Sequence, residues 1–357
     1  MENSSELPPN ASDNLFPVEP SPSAIHQTFW IISLIIYCLA FVLGIIGNGL
    51  VIWVTGFRMT RTVTTVLFLN LASADFTFTA FLPFIIITTA LQPHWPFGWF
   101  LCKLVSSMSV FNMSASVFLL TLISLDRCVS VLWPVWTRNH RTPARAALAA
   151  LGAWIFALAI AFPTVIFKTT VTEDGITFCY SDLDPWNETA DDQDHYDALA
   201  ESRLWSLVLS RFFLGFVIPL VIISVCYGLI AVRLCSGMKM VKSSRPFKVL
   251  TAVVAAFFLC WLPHHVVSMI TVSVYQQPHL EDLLPFLSPL SSSLVFVNSC
   301  LNPLLYVFIG RDFRERLLRS LPAALERALS EESGPTGITG SYSNSAAPAT
   351  NAESQEL

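Results

Sequence analysis

The chain has 357 residues, of which 54% are hydrophobic and only 13% charged, with a formal net charge of −5 and a mean hydropathy of +0.59. A water-soluble domain needs far more charge to cover its surface, so composition excludes that class. No nucleic-acid partner is expected of a net-negative, lipid-like chain.

Residues 1–27 are polar and proline-bearing, with no basic start and no apolar run. They read as an outer tail rather than a signal peptide. Seven apolar runs follow, near 28–55, 64–91, 99–132, 146–167, 204–234, 247–275 and 283–309. Each reaches the roughly 20 residues that cross a bilayer. The predicted fold class is therefore an all-α membrane protein, a seven-helix bundle over residues 28–310.

Arg58 and Arg61 follow the first run, and Arg138, Arg141 and Arg145 follow the third. Arg233, Lys239, Lys242, Arg245 and Lys248 surround the fifth-to-sixth connection, and Arg311, Arg314, Arg316, Arg319 and Arg327 follow the seventh. Bases gather on the cytoplasmic side of membrane proteins. This predicts a plasma-membrane protein with its N-terminus outside and its C-terminus inside.

Asn3, Asn10 and Asn187 head N-glycosylation sequons on predicted outer segments. Cys102 opens the third span and Cys179 lies in the second outer loop. Both face an oxidising compartment, which favours a disulfide between them. That loop, about 168–203, is long and acidic. It reads as a solvated loop or, more sharply, as a field that attracts cationic ligands. Residues 311–321 are amphipathic and suit a helix lying on the inner membrane surface among its lipids. Residues 322–357 are expected to be a largely disordered cytoplasmic tail, Ser/Thr/Gly/Pro-rich after Ser330. They are a phosphorylation target, with receptor kinases and arrestin as the expected partners.

Polar residues within the spans carry the chemistry. Asp75 is an ionisable side chain in mid-membrane, expensive there and functional by default. Asn112, Ser116, Asn298 and Asn302 can supply oxygen ligands beside it. A hard cation such as sodium fits that donor set, and a purely structural hydrogen-bond network fits it as well. Asp126-Arg127 ends the third span, where an adjacent acid and base can pair, or Arg127 can simply snorkel. Tyr227 and Tyr306 are candidate partners for a rearranged Arg127. Pro83, Pro163, Pro219, Pro263 and Pro303 predict kinks in five spans. Arg211, in the outer third of the fifth span, has no acid at equivalent depth. A ligand carboxylate would give it a bidentate partner. His264, His265, Met113, Trp261 and Phe296 are expected to line the same cavity.

Taken together, Asn48, Asp75, Asp126-Arg127, Trp154, Pro219, Trp261-x-Pro263 and Asn302-Pro303-x-x-Tyr306 resemble the rhodopsin-like (class A) G-protein-coupled receptors. Longer stretches resemble the formyl peptide receptors. Among them are Gly47-Asn48-Gly49-Leu50-Val51-Ile52-Trp53-Val54, His94-Trp95-Pro96-Phe97-Gly98-Trp99-Phe100-Leu101-Cys102-Lys103 and Ser243-Ser244-Arg245-Pro246. Asp-Arg-Cys at 126–128 is also that subfamily's form. The similarity covers roughly 30–331. It implies a Gi-coupled receptor for peptide chemoattractants on phagocytes, driving chemotaxis and calcium mobilisation. Asp126, Arg127, Tyr227, Asn302, Pro303 and Tyr306 would form the G-protein switch.

The chain departs from that family at the ligand site. Formyl peptide receptors use an Asp in the third span and two Arg in the fifth. Here the corresponding positions are Val110, Leu207 and Arg211, so an acid and a base are replaced. The expected ligand shifts accordingly to an amphipathic peptide C-terminus or an acidic lipid. A retinal photoreceptor is excluded by the absence of a lysine in 283–309. A transporter's internal repeat is not seen, and no enzyme motif stands out. A decoy receptor without G-protein signalling remains the rival, and the intact switch residues argue against it.

Overall fold

The computed structural model describes residues 24–189, 192–235, 245–274 and 276–309, together with 315, 317 and 318. Expectations for Asn3, Asn10, the 236–244 connection, the amphipathic segment and the tail lie outside these residues, as does the side chain of Tyr306. Among the described residues, seven helices are long and apolar enough to cross a membrane: Gln27–Arg58, Val63–Ala90, Gly98–Leu132, Pro143–Phe167, Asp194–Arg233, Leu250–Ser273 and Pro278–Leu305. They are called the first to seventh spans.

The polarity of the bundle is inverted relative to a soluble protein. Large apolar side chains point outward, among them Ile35, Leu39 and Ile46 on the first span and Leu148, Ile155 and Phe162 on the fourth. Asn48, Asp75, Asn112, Ser116, Asn298 and Asn302 are buried inside. Lipid cannot satisfy amides and carboxylates, so they must find partners within the protein. The third span is the hub, packing against the second, fourth, fifth and sixth. The first span packs on the seventh and second.

Prolines shape the spans in two different ways. The second span is interrupted at Phe81, with Pro83 in the first turn of the segment that resumes at Leu82. The fifth span widens into a π-turn over Phe213–Val217 just before Pro219, which cannot donate to the carbonyl four residues back. Pro163, Pro263 and Pro303, and also Pro289, sit inside unbroken helices. An offset proline therefore need not end a span.

The second outer loop is more ordered and shorter than its composition suggests. Strands β1 (Lys168–Glu173) and β2 (Ile176–Ser181) pair antiparallel, with Thr170 opposite Cys179. Asp174 and Gly175 both have positive φ, the two-residue turn that Asp-Gly favours. Cys179 is bonded to Cys102, as expected. The backbone N–H of Trp95 donates to the Thr177 carbonyl at 2.7 Å, so the first outer loop also pins the hairpin.

Contrary to the sequence reading, Asp194, Asp197 and Glu201 are not in a loop. The fifth helix begins at Gln193, capped by the Asp192 carboxylate, which accepts from the His195 N–H at 3.2 Å. Between hairpin and helix, Asp184 accepts from the backbone N–H groups of Glu188 and Thr189 at 2.9 and 3.0 Å, and from the Thr189 hydroxyl at 2.8 Å. Those bonds, the Glu188 N–H foremost, hold its carboxyl below the usual carboxylate range. Arg203 completes the tie, donating to the Leu183 carbonyl and to Glu188 and lying over the rings of Phe167 and Trp186.

Candidate functional site

Three polar stations follow one another through the bundle. Nearest the hairpin, Arg211 donates from Nη2 to the Thr164 hydroxyl at 2.8 Å. Its Nε is buried with no hydrogen-bond partner. Among the described residues no carboxylate pairs with it. Lys168, His264 and His265 lie within its electrostatic range. His265 is 3% exposed, its Nε2 without a partner. Its ring sits 5.5 Å from Phe212 and 5.0 Å from Phe216. His264 meets the edge of Trp261 at 5.6 Å, and the Trp261 Nε1 is likewise buried and unpartnered. Unsatisfied polar atoms in an apolar surround are costly, and among the described residues no carboxylate relieves the charge of Arg211.

The fifth span's π-turn shapes this station. It begins two residues after Arg211 and brings Gly215 against Met113 of the third span. A Cβ at Gly215 would stand 2.9 Å from the Met113 Cε. A side chain at 215 would have to displace the flexible end of Met113, so the glycine leaves that methionine its place between the two spans.

The middle station is Asp75, fully buried. It accepts from the Asn302 amide at 2.7 Å and the Ser116 hydroxyl at 3.4 Å. Ser116 also reaches Asn112 at 3.4 Å, and Asn112 reaches the Ser299 hydroxyl at 3.5 Å. Asn48 binds the Ser299 carbonyl at 2.8 Å, which ties the first span to the seventh. Among the described residues no cation pairs with Asp75. Of the predicted oxygen ligands, Asn112, Ser116 and Asn302 gather here. Asn298 is buried with its Nδ2 unpartnered and has no bond to Asp75.

At the far, basic end, the structure overturns the pairing of Asp126 with Arg127. Asp126 is held by Arg141, Nε to Oδ1 at 2.7 Å and Nη2 to Oδ2 at 2.9 Å. Arg127 instead donates to the Thr64 hydroxyl at 2.7 Å, which Arg141 also reaches at 3.0 Å. A planar guanidinium fifteen residues away gives Asp126 a two-point bridge. The neighbouring Arg127, whose side chain leaves the helix in another direction, does not.

Residues 47–306 match the family described as 7 transmembrane receptor (rhodopsin family). The chain is 48% identical to the human N-formyl peptide receptor 2 over 342 residues, 94% of this chain and 95% of that one. It is 48% identical to the mouse formyl peptide receptor 2 over 328 residues, 90% and 92% of the two chains. It is 44% identical to the human N-formyl peptide receptor 3 over the full length of both. The chain belongs to the formyl peptide receptor family of rhodopsin-like G-protein-coupled receptors. It is thus a multi-pass plasma-membrane receptor with an extracellular ligand and a G-protein partner, and not an enzyme.

In this receptor, Val110 and Leu207 are half-buried, and Met113 is buried. Phe296 does not join the Arg211 station through its ring contacts, since it stacks on Phe78 at 5.5 Å and meets Tyr37 at 4.7 Å. Tyr227 is half-buried and packs on the central apolar cluster. Asn187 is exposed, with positive φ, in the turn closed by Asp184. Thr64, Arg141, Thr164 and Ser299 are partners that the sequence reading missed. So is Asn70, which accepts from the Trp154 indole at 2.9 Å.

Proposed function

We propose that this receptor detects a chemoattractant carrying an anionic end, which docks on Arg211, and that it signals through Gi-type G proteins to drive leukocyte chemotaxis and calcium mobilisation. The hairpin end faces outward and the basic end faces the cytoplasm, in keeping with the Lys and Arg distribution. The observation that carries the reading is the buried Arg211 Nε without a partner, near Lys168, two histidines and aromatic rings, with no carboxylate paired to it among the described residues. With Val110 and Leu207 where relatives of the formyl peptide type use an acid and a base, the ligand is an amphipathic peptide C-terminus or an acidic lipid.

Binding shifts the population between two arrangements of the bundle. The ligand presses on Met113 and Trp261, and the sixth span moves outward at its cytoplasmic end. Arg127 leaves Thr64 and turns toward Tyr227 and Tyr306, opening a cleft for a G-protein helix. A sodium ion at Asp75, held by oxygens of Ser116 and Asn112, favours the resting arrangement, and the buried carboxylate with no paired cation fits one. Receptor kinases and arrestin act on the Ser/Thr-rich tail.

The test is cAMP inhibition and calcium flux in transfected cells, with formylated peptides, unformylated peptides and acidic lipids, with and without pertussis toxin. Toxin-sensitive responses that need roughly 10–150-fold more agonist in Arg211→Ala at unchanged surface expression are expected. Unchanged potency of every agonist on Arg211→Ala would overturn the docking reading. Ligand binding with no toxin-sensitive response would instead favour a decoy.

A further inference from the structure

Against the third station, and sharing Asp126 and Arg141 with it, the described residues enclose a half-open groove of about 270 Å³ at the basic end, between the second, third and fourth spans and the short helix Pro134–His140. Val63, Leu67, Leu122 and Leu125 form an apolar wall, and Ala146 and Ala149 leave room along the fourth span. Arg141, Arg145 and His140 sit on the rim. The only acid in the lining is Asp126, whose two oxygens are both taken by Arg141. Arg145 is exposed and gives one Nη1 bond to the His140 carbonyl at 2.9 Å. Among the described residues its side chain has no carboxylate partner. The groove therefore joins an apolar floor to a rim with surplus positive charge.

Its neighbours place it at the membrane boundary. Leu148 and Leu151, on the next turns of the fourth span, are 70% and 54% exposed, as lipid-facing side chains are. Trp136 is 54% exposed and stacks on His140 at 4.6 Å, the amphipathic aromatic placement typical of the interface. The volume lies just under the ~300–1,000 Å³ of a pocket that swallows a whole small molecule. It suits part of a larger one, whose remainder lies along the exposed face.

We propose that this groove binds one anionic phospholipid of the leaflet at the basic end, its headgroup on Arg145 and the free face of Arg141, and the start of an acyl chain beside Ala149 and Leu125. The charge of the rim selects the headgroup, and the alanines admit the chain. The lipid thereby braces the segment that carries Arg141, the partner of Asp126. This site is separate from the Arg211 station and does not depend on which agonist binds there.

Native mass spectrometry of the full-length receptor, released from nanodiscs of mixed phosphatidylserine and phosphatidylcholine, tests this. The parent and Arg138→Gln, an exposed base outside the groove, should each retain one phosphatidylserine. Arg145→Gln should hold it about fivefold more weakly, the effect of one base near an anionic surface, and Arg145→Lys should recover most of that loss. Ala149→Phe should displace it with no change of charge. Ala149→Leu is the second variant if the phenylalanine form aggregates. Equal retention of phosphatidylserine by parent, Arg145→Gln and the Ala149 variants would overturn the proposal. So would equal loss in Arg138→Gln and Arg145→Gln, or retention of phosphatidylcholine in its place.

Discussion

Arg141 holds both carboxylate oxygens of Asp126, at 2.7 and 2.9 Å, so Arg127 is left on Thr64 rather than on its own neighbour. Removing Arg141 should hand Asp126 to Arg127 and immobilise the switch arginine. Arg141→Ala is expected to lower the maximal G-protein response, and Asp126→Asn combined with it should restore much of the loss. The pair is partly exposed, so a double-mutant cycle on thermal stability should give a coupling of about 1 kcal/mol. Full agonist efficacy in Arg141→Ala would refute the assignment.

Arg211 should be worth more than its charge. A charge-assisted bond is worth about 1.5–3 kcal/mol, so Arg211→Ala should raise agonist EC50 by roughly 10–150-fold. Arg211→Lys should recover only part of this, because a single ammonium cannot make the bidentate contact. Concentration–response curves normalised to surface expression read both.

Gly47 faces the ring of Pro303, where an added Cβ would stand 2.9 and 3.0 Å from the Pro303 Cβ and Cγ. A proline ring cannot swing aside. Gly47→Ala should destabilise the receptor by about 1–3 kcal/mol, seen as a lower melting temperature in detergent. An unchanged melting temperature would mean that the first and seventh spans separate more easily than they pack.

Asp184 gives a pH dependence whose sign is fixed. Its folded-state carboxyl titrates below its unfolded value, chiefly through the Glu188 N–H. The stabilisation is therefore fully present above the unfolded value, ~3.9, and is lost as pH falls through the depressed one. Asp184→Asn should lower thermal stability at pH 7, and the gap to the parent should close only in strong acid. A gap that changed between pH 8 and 5 would point to another group.

Trp154 donates to Asn70 across the second and fourth spans at 2.9 Å. Trp154→Phe should cost about 1 kcal/mol through the lost bond, again read by thermal inactivation.

The seven-helix architecture was legible because lipid demands long, nearly uncharged helices, and the inward amides announced themselves as single polar residues in apolar runs. Asp75, Asn112, Ser116 and Asn302 converge as their positions suggested. The partner of Asp126 was not legible, because local adjacency is a poor guide when side chains one residue apart on a helix point about 100° apart. Arg141 looked like one more interfacial base until the connector folded back. The hairpin was missed: Asp174-Gly175 carries its turn, but the acids around it masked the alternation of short strands. The early start of the fifth helix was hidden by the same acids. Asp192 was the cap that could have marked it.

The Cys102–Cys179 bond has a consequence for how this receptor can vary. Side chains alternate between the two faces of a strand, and Cys179 is fixed to the third span at one register position opposite Thr170. Inserting or deleting a single residue in the stretch leading to it would turn the thiol away from its mate and present Phe178 or Tyr180 instead. Residue identities there can drift while the residue count cannot, so paired changes in length, never single ones, are what this segment tolerates.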